Sequence, residues 1–128
     1  MKQTSLLTLL TLFVLKGYSQ QKYNVMEKPT VSLTCKLTTP ELQERKRTVI
    51  AAVKKLVAER TETVKGVQYK FNDSDETIDL LTNFIKTERL CCPFFRFDLV
   101  VGEVENFVYL ELSGPEGTKD FIEHEIGF

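Results

Sequence analysis

The chain has 128 residues, enough for about one domain with a single small core, and its 42% hydrophobic and 27% charged composition is that of a globular protein. Seventeen basic side chains stand against eighteen acidic ones, a formal charge of −1, with the two signs interspersed. That balance excludes the basic stripe of a nucleic-acid binder and the polybasic patch of a membrane-surface protein, so no nucleic-acid partner is expected.

Residues 1–19 read as a secretory signal peptide. Lys2 supplies a basic start, Leu6 to Leu15 form an apolar run interrupted only by threonines, and Gly17 and Ser19 sit at minus three and minus one of a cut before Gln20. The apolar run is shorter than the roughly 20 residues that span a bilayer, so no stable membrane span is expected in the mature form. No cysteine follows closely enough to take a lipid anchor. The expected location is exported, periplasmic or extracellular, with a cytoplasmic alternative if the leader is not cleaved. Residues 20–29 are polar without a period and end at Pro29, as in a linker, which leaves 30–128 as one domain.

From Thr30 onward Val31, Leu33, Cys35 and Leu37 alternate with polar residues, which predicts a strand with Cys35 on its buried face. Thr39-Pro40-Glu41 supplies an N-cap, a proline at the first helical position and an acid in the first turn. An amphipathic helix of about five turns follows, its stripe made by Leu42, Val49, Ile50, Val53, Leu56 and Val57. Its basic run, Arg45-Lys46-Arg47, reads as a solvated helix face with no functional role. Thr61 to Gly66 is expected to be a loop, and Val67, Tyr69 and Phe71 mark a second strand.

Asp73 and Glu76 are spaced as a capping box, and Ile78, Leu81, Phe84 and Ile85 stripe a second helix. Pro93 lacks an amide hydrogen and disfavours helical geometry at Cys92, so this helix should stop near Cys91. Phe95 to Val101 and Phe107 to Leu112 then alternate as a hairpin, and Phe121, Ile122 and Ile126 suggest a short final helix. The order βαβαββα predicts an α/β two-layer sandwich, a four-stranded mixed sheet with helices on one face. That order resembles the topology of the small sulfur-carrier proteins of the TusA type and of the C-terminal domain of a bacterial translation initiation factor.

The chemistry concentrates in Glu88-Arg89-Leu90-Cys91-Cys92-Pro93-Phe94. This segment, followed by Phe97 and Gly114-Pro115, resembles a family of small, mostly uncharacterised bacterial proteins in which an acidic residue, paired cysteines, proline and phenylalanine precede a hairpin. The resemblance runs from Cys35 to the C-terminus and implies a domain rather than a reaction. Thiolates select copper(I), zinc and similar soft ions, which makes Cys91 and Cys92 candidate metal or thiophile ligands, with Cys35 as a third. Glu88, Arg89 and Pro93 are the supporting residues. A binding domain rather than an enzyme is thus the first expectation.

The second is thiol redox or sulfur relay, since a disulfide between adjacent cysteines would be strained and easily reduced, although a helix C-terminus raises a thiol pKa. The third is a structural domain in which all three thiols are inert core residues. If the first three strands were parallel, Cys35 would lie near the edge of the sheet opposite Cys91 and Cys92, too far for a disulfide. His124, isolated in sequence, reads as a surface residue, and Ser113 to Gly117 as an ordinary turn.

Overall fold

A computed structural model describes residues 31–36, 39–102 and 106–128. The leader at 1–19 and the linker at 20–29 lie outside the described residues. Helix α1, Pro40–Leu56, starts as the sequence dictates, with the Thr39 hydroxyl accepting from the Leu42 amide at 3.3 Å and Pro40 in the first turn. Strand β1, Val57–Glu62, follows α1 without a break, and β2, Gly66–Asn72, returns along it as a hairpin. Helix α2, Asp75–Cys91, is capped by Ser74, whose hydroxyl accepts from the Thr77 amide at 3.1 Å, one residue on from the expected Asp73 box.

Strands β3, Arg96–Val101, and β4, Phe107–Ser113, make the second hairpin, and α3, Thr118–Phe121, continues into a π-helical turn at Ile122–Ile126. The sheet order is β1-β2-β4-β3, with every neighbouring pair antiparallel. Val67, Tyr69 and Phe71 of β2 and Val108, Leu110 and Leu112 of β4 are fully buried, while Gln68, Lys70, Tyr109 and Glu111 between them are not. One face of the two central strands therefore carries the core, against Val49 and Val53 of α1, Leu81 and Phe84 of α2, and Ile122 and Ile126. Six fully buried strand residues at about 1.5–3 kcal/mol each make this face a main source of cohesion. Gly66 allows β2 and β4 to close together, because a Cβ there would collide with the Leu112 carbonyl oxygen.

The architecture is the expected α/β two-layer sandwich with four strands, but its first strand is placed differently. Residues 31–36 form no strand, and Leu37 lies outside the described residues. The period-two pattern survives only as burial, with Leu33 and Cys35 turned partly inward and Ser32, Thr34 and Lys36 exposed. The edge strand is instead Val57–Glu62, where a continuing helix and then a loop were expected. Its core-side residues Arg60 and Glu62 are charged, and they meet Glu123 at 2.9 Å and Lys119 at 3.6 Å beneath the final helix. Polar pairing thus replaces the apolar alternation that marks a strand in sequence. A hairpin replaces the expected first strand–helix–strand crossover, and β4 lies between β2 and β3, the parallel strands that α2 connects, so every neighbouring pair is antiparallel and the sheet is not mixed.

Candidate functional site

The carbonyl of Cys91, in the last turn of α2, accepts the Lys36 amide at 2.7 Å, which docks residues 31–36 against the helix end. Leu33 packs close to Gly117, whose φ of +89° suits glycine. This docking brings Cys35 to within 3.8 Å of Cys92, sulfur to sulfur. The expected separation of Cys35 from the adjacent pair is therefore overturned, because Cys35 belongs to no parallel strand and crosses the end of α2 instead.

Cys91 and Cys92 are buried at 1% and 0% exposure, while Cys35 is partly exposed. Cys92 caps the helix, its amide donating to the Glu88 carbonyl at 2.6 Å, and Pro93 follows at the surface. The aromatic residues after it, Phe94 and Phe95, stack with each other and with Phe121 at centroid distances of 4.8 to 5.7 Å. They belong to the core, as their sequence context suggests.

Two charged side chains complete the cluster. Lys46 of α1 is 6% exposed and donates to Cys35 Sγ at 3.3 Å, and its ammonium lies 3.6 Å from Glu88 Oε2. Glu88 of α2 is fully buried, and the same Oε2 accepts from the Cys92 thiol at 3.6 Å. Among the described residues Glu88 Oε1 has no hydrogen-bond partner. The four groups form a closed circuit from Cys35 to Lys46 to Glu88 to Cys92 and back, inside the angle between two packed helices.

Burial raises the Glu88 carboxyl above its ordinary range, despite the ammonium of Lys46 and the Cys92 hydrogen bond that favour its charged form. Burial alone would lower the Lys46 ammonium, yet Glu88, Cys92 and Cys35 together hold it above the usual lysine range. The asymmetry follows exposure, since the Glu88 side chain is the more enclosed of the two. Burial also raises both adjacent thiols, pushing Cys91 from 9.0 up to about 11 and Cys92 further in the same direction. Both are therefore protonated at neutral pH.

Of the residues singled out in the sequence, Cys35, Cys92 and Glu88 come together, and Cys91 is beside them in the chain. Arg89 points to solvent and Pro93 is exposed, so neither joins the cluster. His124 is exposed, as its isolation implied. Lys46 was missed: rather than standing on a solvated face, it falls in the buried stripe with Val49 and Val53, and Leu42-Lys46-Val49-Val53 has the spacing that could have revealed it. Among the described residues no group of three or more His, Cys, Asp or Glu side chains is arranged to hold a metal ion. No described helix is long and apolar enough to cross a membrane. Comparison of the chain with protein-family models, curated proteins and solved structures finds no match, so the functional reading rests on the chemistry of the site.

Proposed function

We propose that the protein is a thiol–disulfide exchange protein whose working pair is Cys35 and Cys92. The observation that carries this reading is the 3.8 Å approach of their sulfurs, against about 2.05 Å in a formed disulfide. The remaining gap is small, and Cys35 stands on a segment outside regular structure, which leaves it free to close. Cys35 is the more accessible thiol and has the Lys46 ammonium against its sulfur, so it is the group that attacks. Cys92, fully buried behind it, resolves.

In the exchange, the Cys35 thiolate attacks one sulfur of a substrate disulfide, forming a mixed disulfide and releasing one thiolate. Cys92 then attacks Cys35 Sγ, which breaks the mixed bond and releases the second thiol. The protein dithiol is oxidised by two electrons and the substrate disulfide is reduced by two. An exported location would supply the oxidising setting in which such a pair cycles. Cys91, equally buried, stays a thiol.

Treatment with glutathione disulfide followed by peptide mass mapping tests this. The expected product is a Cys35–Cys92 bond with Cys91 free, and Cys92→Ser is expected to stall with glutathione on Cys35. Absence of that bond together with an unmodified Cys35 would sink the reading. A protein that forms no disulfide but takes up one equivalent of copper(I) or zinc on its thiols would replace it with soft-ion binding.

A further inference from the structure

Resting on that exchange reading, we infer that Glu88 is the proton acceptor for Cys92 when the Cys35–Cys92 disulfide closes, and that it then returns the proton to the departing thiolate. Three observations place it there. Glu88 Oε2 is already the acceptor of the Cys92 thiol at 3.6 Å. The carboxylate is wholly enclosed, with Oε1 unpartnered among the described residues, an arrangement a purely structural ion pair has no need of. Lys46 touches both Glu88 and Cys35, so one ammonium borders the attacking sulfur and the base.

With the mixed disulfide formed on Cys35, Glu88 takes the Cys92 proton as Cys92 Sγ attacks Cys35 Sγ. The bond between Cys35 and the substrate sulfur breaks, and its electron pair leaves on the substrate thiolate. That thiolate accepts the proton from Glu88, leaving a carboxylate, a substrate thiol and a protein disulfide. No water is needed at the buried end of the site. A buried thiol held in its protonated form requires such a base, since only the thiolate is a nucleophile. The raised affinity of Glu88 for protons suits the task, because a base works best when its pKa approaches the working pH. The ionisable groups that bear on Glu88 are Lys46 from α1, Cys91 and Cys92 from the end of α2, and Glu125 from the final turn, while Cys35 of the docked segment reaches it through Lys46 and Cys92.

The aromatic disulfide 5,5′-dithiobis(2-nitrobenzoate) separates the two steps in a Cys91→Ala background. The first coloured thiolate reports attack by Cys35, and the second reports closure by Cys92. Because this leaving group stays ionised, the second release reads the acceptance of the Cys92 proton by Glu88 rather than its return. Glu88→Gln is expected to slow the second release at least about 100-fold while the first continues. Closure in the variant should also rise about tenfold per pH unit, as hydroxide replaces the lost base, where the unaltered site levels off. Because the single change leaves an unpaired ammonium, Lys46→Met with Glu88→Gln serves as the second variant, with closure read from protein already loaded at Cys35. Closure at the unaltered rate and pH profile in both variants would overturn the role of Glu88. Persistence of the second release in Cys92→Ser would instead overturn the exchange pair itself, so the two failures are distinct.

Discussion

Lys46 and Glu88 are expensive residues to bury, and their cost explains why they occur together. An ammonium or a carboxylate enclosed without a partner is strongly disfavoured, and a buried pair is offset only by close mutual contact and further hydrogen bonds. Here the contact is 3.6 Å and the further bonds run to Cys35 and Cys92. Removing one partner should therefore cost about 3–5 kcal/mol by stranding the other. Lys46→Met alone and Glu88→Leu alone are expected to fall in that range in urea titrations, while the double substitution recovers most of the loss. A double variant as unstable as the sum of the singles would show that the two charges do not interact. Recovery of stability without recovery of disulfide closure is the expected signature of a pair retained for chemistry rather than for folding.

At the scale of elements, what could be read in the sequence depended on whether apolar spacing marked it. The capped helix α1, the helix α2 that stops before Pro93, the strand at Val67-Tyr69-Phe71 and the hairpin from Arg96 to Ser113 all carry strong local signals, and each is present. Strand β1 carries none, because Arg60 and Glu62, on the core side of this edge strand, stay exposed and pair with Glu123 and Lys119. Residues 31–36 carry a false one, since alternating burial against a helix end looks like alternating burial in a sheet. That confusion is why the sequence placed Cys35 far from Cys92, and why Lys46, read as part of a solvated charge run, went unnoticed. The docked segment is held partly by the space Gly117 leaves for Leu33, where an added Cβ would lie 2.8 Å from Leu33 Cδ1. Gly117→Ala is thus expected to cost about 1–2 kcal/mol through its positive φ. It should also push Leu33 outward and slow Cys35–Cys92 closure in the same two-phase assay. A variant that loses stability but closes at the unaltered rate would mean that Cys35 is positioned by the Lys36–Cys91 backbone bond and the Lys46 contact without help from Leu33.

For the molecule as a whole, the site gives stability a particular dependence on pH. Glu88, Lys46, Cys91 and Cys92 all hold their protons more tightly when folded than their ordinary values imply. Wherever the folded chain binds more protons than the unfolded chain, stability falls as pH rises. For Glu88 that decline begins above its ordinary value of 4.5 and ends once its raised folded value is passed. For Cys91 it spans 9.0 to about 11, the window in which unfolded thiols ionise and the folded thiol does not. Cys92 and Lys46 add to the same alkaline fall, starting from 9.0 and 10.5 respectively. Calorimetry from pH 7 to 11 under reducing conditions should accordingly show Tm dropping steeply above about pH 9. Oxidation to the Cys35–Cys92 disulfide removes the Cys92 thiol from the balance, so the oxidised protein should lose less stability over the same range. Equal slopes for the oxidised and reduced forms would mean that Cys92 is not the buried thiol being titrated, and would place the alkaline sensitivity on Cys91 and Lys46 alone.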